Sequence, residues 1–137
     1  MRIRSMLGVL ALSAATMTAC GGGGGDGGTG PKAGLLTVTL NTAPANVGAL
    51  LLTVTGGQID GVSASGYHTY QTPLGNSSRR VLLTGSIVAG PLLQIQVPDI
   101  AQFASYSAVI QQVSARSTAP SPYAQMSSAG MTISVAQ

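Results

Sequence analysis

Apolar residues alternate with small polar ones along much of the chain beyond residue 34. Leu36, Val38 and Leu40 are interleaved with Thr37 and Thr39. Leu93, Ile95 and Val97 are interleaved with Gln94 and Gln96, and Met131, Ile133 and Val135 with Thr132 and Ser134. A period of two puts each apolar set on one face of an extended strand and the Thr, Gln or Ser set on the other. Segments 35–40, 49–55, 80–84, 92–97, 106–113 and 131–136 are short, rich in Leu, Val, Ile and Thr, and bounded by Gly, Pro, Asn or Ser. That pattern predicts strands, with a further one over 67–72. Helical spacing fits only 99–104, where Pro98 and Asp99 start a single turn. Gly56-Gly57, Gly75-Asn76 and Gly90-Pro91 are turn formers at hairpin-like intervals. The 61–66 stretch reads as a loop. Seven to nine short strands over about 103 residues predict an all-β fold, an antiparallel two-sheet β-sandwich. A domain of that size buries about two-thirds of its unfolded surface, enough to fold without crosslinks.

The first 30 residues follow a different pattern. Arg2 and Arg4 precede an apolar run from Met6 to Ala15, then small residues lead to the only cysteine, Cys20. A short basic start, an apolar run of about 10 residues and a small-residue region make a secretory signal peptide, too short to span a bilayer. Met17-Thr18-Ala19-Cys20 resembles the lipobox of bacterial lipoproteins, with Met17 where Leu is usual. The resemblance implies cleavage before Cys20, a diacylglyceryl group on its thiol and acylation of the new amino terminus. The chain then divides into a signal peptide (1–19), a lipidated cysteine with a linker (20–34) and a β-sandwich domain (35–137). A second or third acyl chain makes such an anchor effectively permanent, each buried CH₂ contributing about 0.8 kcal/mol. With that thiol consumed no disulfide is available, so stability rests on the core.

Residues 21–30 hold eight of the 19 glycines. They form a flexible tether with a root-mean-square span of about 17 Å. Their Gly-x-Gly-x-x-Gly spacing lacks the preceding strand and following helix that phosphate binding needs, and Pro31 follows. Glycine rather than aspartate after the cysteine implies, by the lipoprotein resemblance, sorting to the outer membrane. The expected location is therefore the cell envelope, with the domain on the periplasmic or surface side.

Charge changes the picture once it is located. The formal net charge is +3, but Arg2 and Arg4 belong to the signal peptide. Lys32, Arg79, Arg80 and Arg116 then face Asp26, Asp60 and Asp99, four against three. A domain this sparsely charged, with no Trp, does not have the basic face of a nucleic-acid binder.

The chemistry available to the domain is narrow. It has one histidine, His68, and outside the tether its only carboxylate side chains are Asp60 and Asp99. General acid–base work would require two of these in one cleft. Gly61-Val62-Ser63-Ala64-Ser65-Gly66 misses the nucleophile-elbow spacing by one residue. No catalytic residue, no cofactor and no metal site is expected. Zinc normally takes three or four His, Cys or carboxylate ligands, and Asp60 and Asp99 read as aspartates that hydrogen-bond their own turns.

The remaining candidates for ligand binding are Tyr67, Tyr70, Arg79 and Arg80. Arg79-Arg80 follows Gly75-Asn76-Ser77-Ser78 at a hairpin mouth, where a guanidinium pair is suited to meet a phosphate or an acidic glycan. Tyr67, Tyr70, Tyr106 and Tyr123 offer a stacking platform for sugar rings. Period two places His68 and Tyr70 on one strand face, Tyr67 and Thr69 on the other.

Three segments, Gly48-Ala49-Leu50-Leu51-Leu52-Thr53-Val54, Arg80-Val81-Leu82-Leu83-Thr84-Gly85 and Gly90-Pro91-Leu92-Leu93-Gln94-Ile95-Gln96-Val97-Pro98, resemble the strand order of cohesin-type domains and their carbohydrate-binding-module relatives. That resemblance implies a jelly-roll sandwich acting as a non-catalytic recognition module. Uncharged outward positions suit close packing with a partner. The expected function is a membrane-anchored envelope lipoprotein with a non-catalytic interaction module, its partners the membrane and an envelope protein. The alternative is a glycan-binding surface domain.

Overall fold

Strand formation follows the apolar alternation, and the computed structural model describes it for residue 28 and residues 30–116 and 123–137. The signal peptide, Cys20 and most of the tether lie outside the described residues. In chain order the elements are β1 Gly34–Thr42, β2 Val47–Thr55, β3 Gly61–Ser63, β4 His68–Pro73, β5 Ser78–Ile87 and β6 Gly90–Val97. A 3₁₀ turn at Ile100–Ser105 follows, then β7 Ser107–Arg116, β8 Tyr123–Met126 and β9 Thr132–Ala136. They form two antiparallel sheets, ordered β3-β6-β1-β9 and β4-β5-β2-β7-β8. The fold is the two-sheet antiparallel sandwich that the alternation predicts.

The inner faces carry the apolar sets. Leu36, Val38 and Leu40 of β1 are fully buried against Leu93, Ile95 and Val97 of β6. From the other sheet come Leu50, Leu52 and Val54 of β2, Val81 and Leu83 of β5, and Val113 of β7. Each such side chain contributes about 1.5–3 kcal/mol by leaving water. Thr37, Thr39, Gln94, Gln96 and Ser134 fall on the outer side of their sheet.

Three expectations are corrected. Residues 61–63, read as a loop, are a short strand paired to β6 through Val62↔Ile95. Tyr123–Met126, which the alternation did not mark, is a strand paired to β7. Each has too few apolar positions to show a period. Of the three glycine turns only Gly75-Asn76 closes a hairpin, within the link from β4 to β5. Gly56-Gly57 instead carries the chain from one sheet to the other, and Gly90-Pro91 opens β6.

The place of Pro91 has a physical cause. An interior strand rarely tolerates proline, which cannot donate to a ladder. β3, however, covers β6 only opposite Gln94, Ile95 and Gln96, so at Pro91 β6 has no neighbour on that side. The missing N–H there removes no ladder bond.

The 3₁₀ turn is capped as the sequence predicts. Asp99 accepts a hydrogen bond from the Ala101 N–H at 3.1 Å and another from the Lys32 N–H at 3.3 Å. Asp60 accepts from the Gln58 amide at 2.6 Å.

Candidate functional site: the outer face of the five-stranded sheet

Directly opposite residues in an antiparallel pair project to the same side of the sheet, so register fixes what each face presents. With Leu50, Leu52 and Val54 buried, Leu51 and Thr53 of β2 point outward. Tyr70 lies opposite Leu82, Leu82 opposite Leu51 and Leu51 opposite Gln112, making one row across four strands. Strand spacing gives that row a length of about 14 Å. The next row runs Thr72, Arg80, Thr53, Val109, and on the other side lies His68, Thr84, Ala49, Ser114, Gln125.

This face exposes a compact apolar stripe. Tyr70 is 65% exposed and Val109 52%, with Leu51 and Leu82 half-buried between them. Arg80 projects beside the stripe, one row from Tyr70. Gln111 is the extra residue where the β2–β7 register shifts between Leu51 and Leu52, and such a bulge re-aims a side chain. Leu51, Arg80, Gln111, Gln112 and Gln125 line an open hollow of about 380 Å³.

Of the four predicted ligand residues, two are brought together here and two are not. Tyr70 and Arg80 share the outer face. Arg79, adjacent on the same strand, falls on the opposite side. It donates from Nη2 to the Ile59 carbonyl at 3.1 Å, and its Nε is buried without a partner. Arg79 lines a separate hollow of about 290 Å³ with Gln58, Ile59, Asp60 and Asn76. Tyr67 packs against the core. Among the described tyrosine side chains Tyr70 alone lies on this face, so Tyr67, Tyr70 and Tyr106 do not form a platform. Tyr106 is buried, with its hydroxyl donating to the Gln58 carbonyl at 2.8 Å, and the Tyr123 side chain lies outside the described residues.

His68 stands on the outer face opposite Thr84, whereas Asp60 sits by Arg79, five residues along β5 and about 17 Å away in strand length. Among the described residues no group of three or more His, Cys, Asp or Glu could hold a metal ion. None of their helices is long and apolar enough to cross a membrane.

Sequence reading missed Leu51, Leu82, Val109 and the three glutamines. Leu50-Leu51-Leu52 and Val81-Leu82-Leu83 are unbroken apolar runs, so nothing in them marks the outward residue. The Gln111-Gln112 pair, interrupting the apolar residues Ala108-Val109-Ile110 and Val113, was the one available signal.

No family model matches the sequence, and no curated protein and no solved structure matches it.

Proposed function

We propose that this chain is an envelope lipoprotein, anchored through Cys20 and carrying a non-catalytic interaction module that binds a protein partner on the outer face of its five-stranded sheet. The observation that carries this reading is the stripe of Tyr70, Leu82, Leu51 and Val109 with Arg80 at its side. Exposed contiguous apolar surface rimmed by polar groups marks interaction sites, and tyrosine and arginine are the side chains on which binding energy concentrates. The rim of Thr53, Thr72, Gln112 and Gln125 supplies hydrogen bonds without the desolvation penalty of charges. The Gly-rich tether would let this face search the space near a membrane, on the outer membrane by the lipobox reading.

Anchoring and binding separate experimentally. Labelled palmitate is expected in the wild type and not in Cys20→Ser. In a cross-linking comparison on intact envelopes, Tyr70→Ala and Arg80→Ala should each lose a specific cross-linked product that His68→Ala retains. Equal products from all three variants would overturn the assignment of the face.

A second reading, glycan binding at the same face, is favoured by one observation: the exposed Tyr70 ring stands near a hollow lined by three side-chain amides and a guanidinium. A glycan array separates the two readings. Binding weakened by Tyr70→Ala supports the glycan, and an empty array leaves the protein partner.

A further inference from the structure

Sheet edges expose unpaired backbone groups, and folds that remain monomeric blunt them with short strands, proline, bulges or charge. Among the described residues the two sheets have four edges, and three of them are blunted. β3 is three residues long, β8 is four, and β4 ends on Pro73. The Gln71 side chain, on β4, also reaches across to the Val62 carbonyl at 3.2 Å. The fourth edge is β9, Thr132–Ala136, five residues with no proline, glycine or charge.

We infer that β9 is a self-association edge, pairing antiparallel with β9 of a second copy about a twofold axis through Ser134. The Thr132 N–H is turned toward β1, where the Thr42 hydroxyl accepts it at 3.1 Å. By alternation Ser134 and Ala136 also bond inward, leaving the N–H and C=O groups of Ile133 and Val135 without a ladder partner among the described residues. Centring on Ser134 sets Ile133 opposite the second copy's Val135, each pair exchanging both backbone bonds, and Thr132 opposite Ala136. No other centre pairs as many residues.

Two further observations choose a second copy as the occupant. A twofold contact places identical or near-identical positions face to face, so a charged edge would repel itself, whereas Thr-Ile-Ser-Val-Ala is neutral throughout. The sheets are also unequal, with four strands over five. β9 lies over β7, and β8, the next strand out, extends beyond the free edge of β9. Met126 and Ala124 are on the inner side of β8, in line with buried Val113 and with Ala115, yet Met126 is only half-buried and Ala124 is exposed. Ile133 and Val135 are half-buried as well. The second copy's β9 would enter the missing fifth position, cover Met126, and turn two four-stranded sheets into one of eight. A ladder this short makes a transient dimer, below the standard interface size of about 1,200–2,000 Å².

Register gives the test. Full chain carrying Cys20→Ser, so that no other thiol competes, is made with Ser134→Cys and oxidised gently. Ser134 would be a pair whose backbone groups face away, with Cα atoms about 4.5 Å apart, within the span of a disulfide. The expected result is a disulfide dimer forming at least tenfold faster than with Val88→Cys, an exposed control. Thr132→Cys and Ala136→Cys are each expected to link poorly alone and well when mixed. In sedimentation, the Cys20→Ser chain should move from monomer to dimer mass as concentration rises, Ser134→Lys should stay monomeric, and Ser134→Lys mixed with Ser134→Glu should recover the dimer. Linking of Ser134→Cys no faster than the control, or a monomer at every concentration for the parent and the mixed pair alike, overturns the proposal. These readouts are independent of Tyr70 and Arg80, so failure here leaves the proposed function standing, and the reverse.

Discussion

Tyr106 ties the link between β2 and β3 to the start of β7, and two glycines make room for it. Gly56 has φ +155°, and a Cβ there would meet the Tyr106 ring at 2.7 Å and the Ser105 carbonyl at 2.8 Å. A Cβ on Gly57 would meet the Tyr106 hydroxyl at 2.7 Å. The hydroxyl donates to the Gln58 carbonyl within this nest. Gly56→Ala combines an unfavourable φ with a backbone clash and should lower unfolding free energy by about 1–3 kcal/mol, read from the urea midpoint. An unchanged midpoint would mean that the nest yields without strain. Burial raises the Tyr106 phenol above its ordinary value, and the carboxylates of Asp60 and Asp99 push the same way. A phenol whose folded pKa lies above the unfolded one contributes stability that is complete below about pH 10 and lost as pH rises through the folded value. Tyr106→Phe should therefore lose about 1 kcal/mol at neutral pH, for the hydrogen bond. It should also show a shallower fall than wild type above pH 10. Parallel alkaline curves would show that Tyr106 does not set that limb.

At the scale of elements, β1 makes the sharpest comparison because Leu35 and Leu36 are chemically identical neighbours. Leu36 is fully buried between Ile95 and the facing sheet, while Leu35 is 50% exposed on the outer side opposite Gln96. Leu36→Ala should cost about 2–5 kcal/mol, and Leu35→Ala should stay within about 0.5 kcal/mol. Similar losses at both positions would break the assigned register. The same logic explains what the sequence made legible. Where threonine, glutamine or serine alternated with one apolar residue, as in β1, β6 and β9, the face of each residue could be read directly, while pairing and register came only with the structure. In β2 and β5 the outward Leu51 and Leu82 each sit between two buried apolar neighbours, so the stripe that forms the candidate site was invisible. Arg79 and Arg80 looked like a pair at a hairpin mouth because the strand was expected to begin at 80. β5 begins at Ser78, and a strand sends neighbours to opposite faces, so the pair is split. The period of two does separate Tyr67 from Tyr70, as the structure has them, but which of the two faces meets the core, and the burial of Tyr106, were left to tertiary packing.

At the scale of the whole molecule, the charged side chains in the described hydrogen bonds find neutral partners. Arg79 donates to a carbonyl, Asp60 accepts from an amide, and Asp99 accepts from two backbone N–H groups. Stability then rests on the apolar core and the ladders, neither of which is screened by ions on the scale of the Debye length. Changing NaCl from 50 mM to 0.5 M should shift the unfolding free energy by less than about 0.5 kcal/mol, as for other weak surface electrostatics. A loss above about 1 kcal/mol would show that charge pairing outside these contacts supports the fold. The same neutrality bears on recognition. If Tyr70 and the leucine stripe carry the affinity of the outer face, partner binding should weaken little over that salt range, since apolar burial is not screened. If Arg80 engaging an acidic group carries it, affinity should fall about tenfold or more and the salt dependence should vanish in Arg80→Ala. Titrating the identified partner at both ionic strengths, with wild type and Arg80→Ala, separates a contact driven by the stripe from one driven by its single cation.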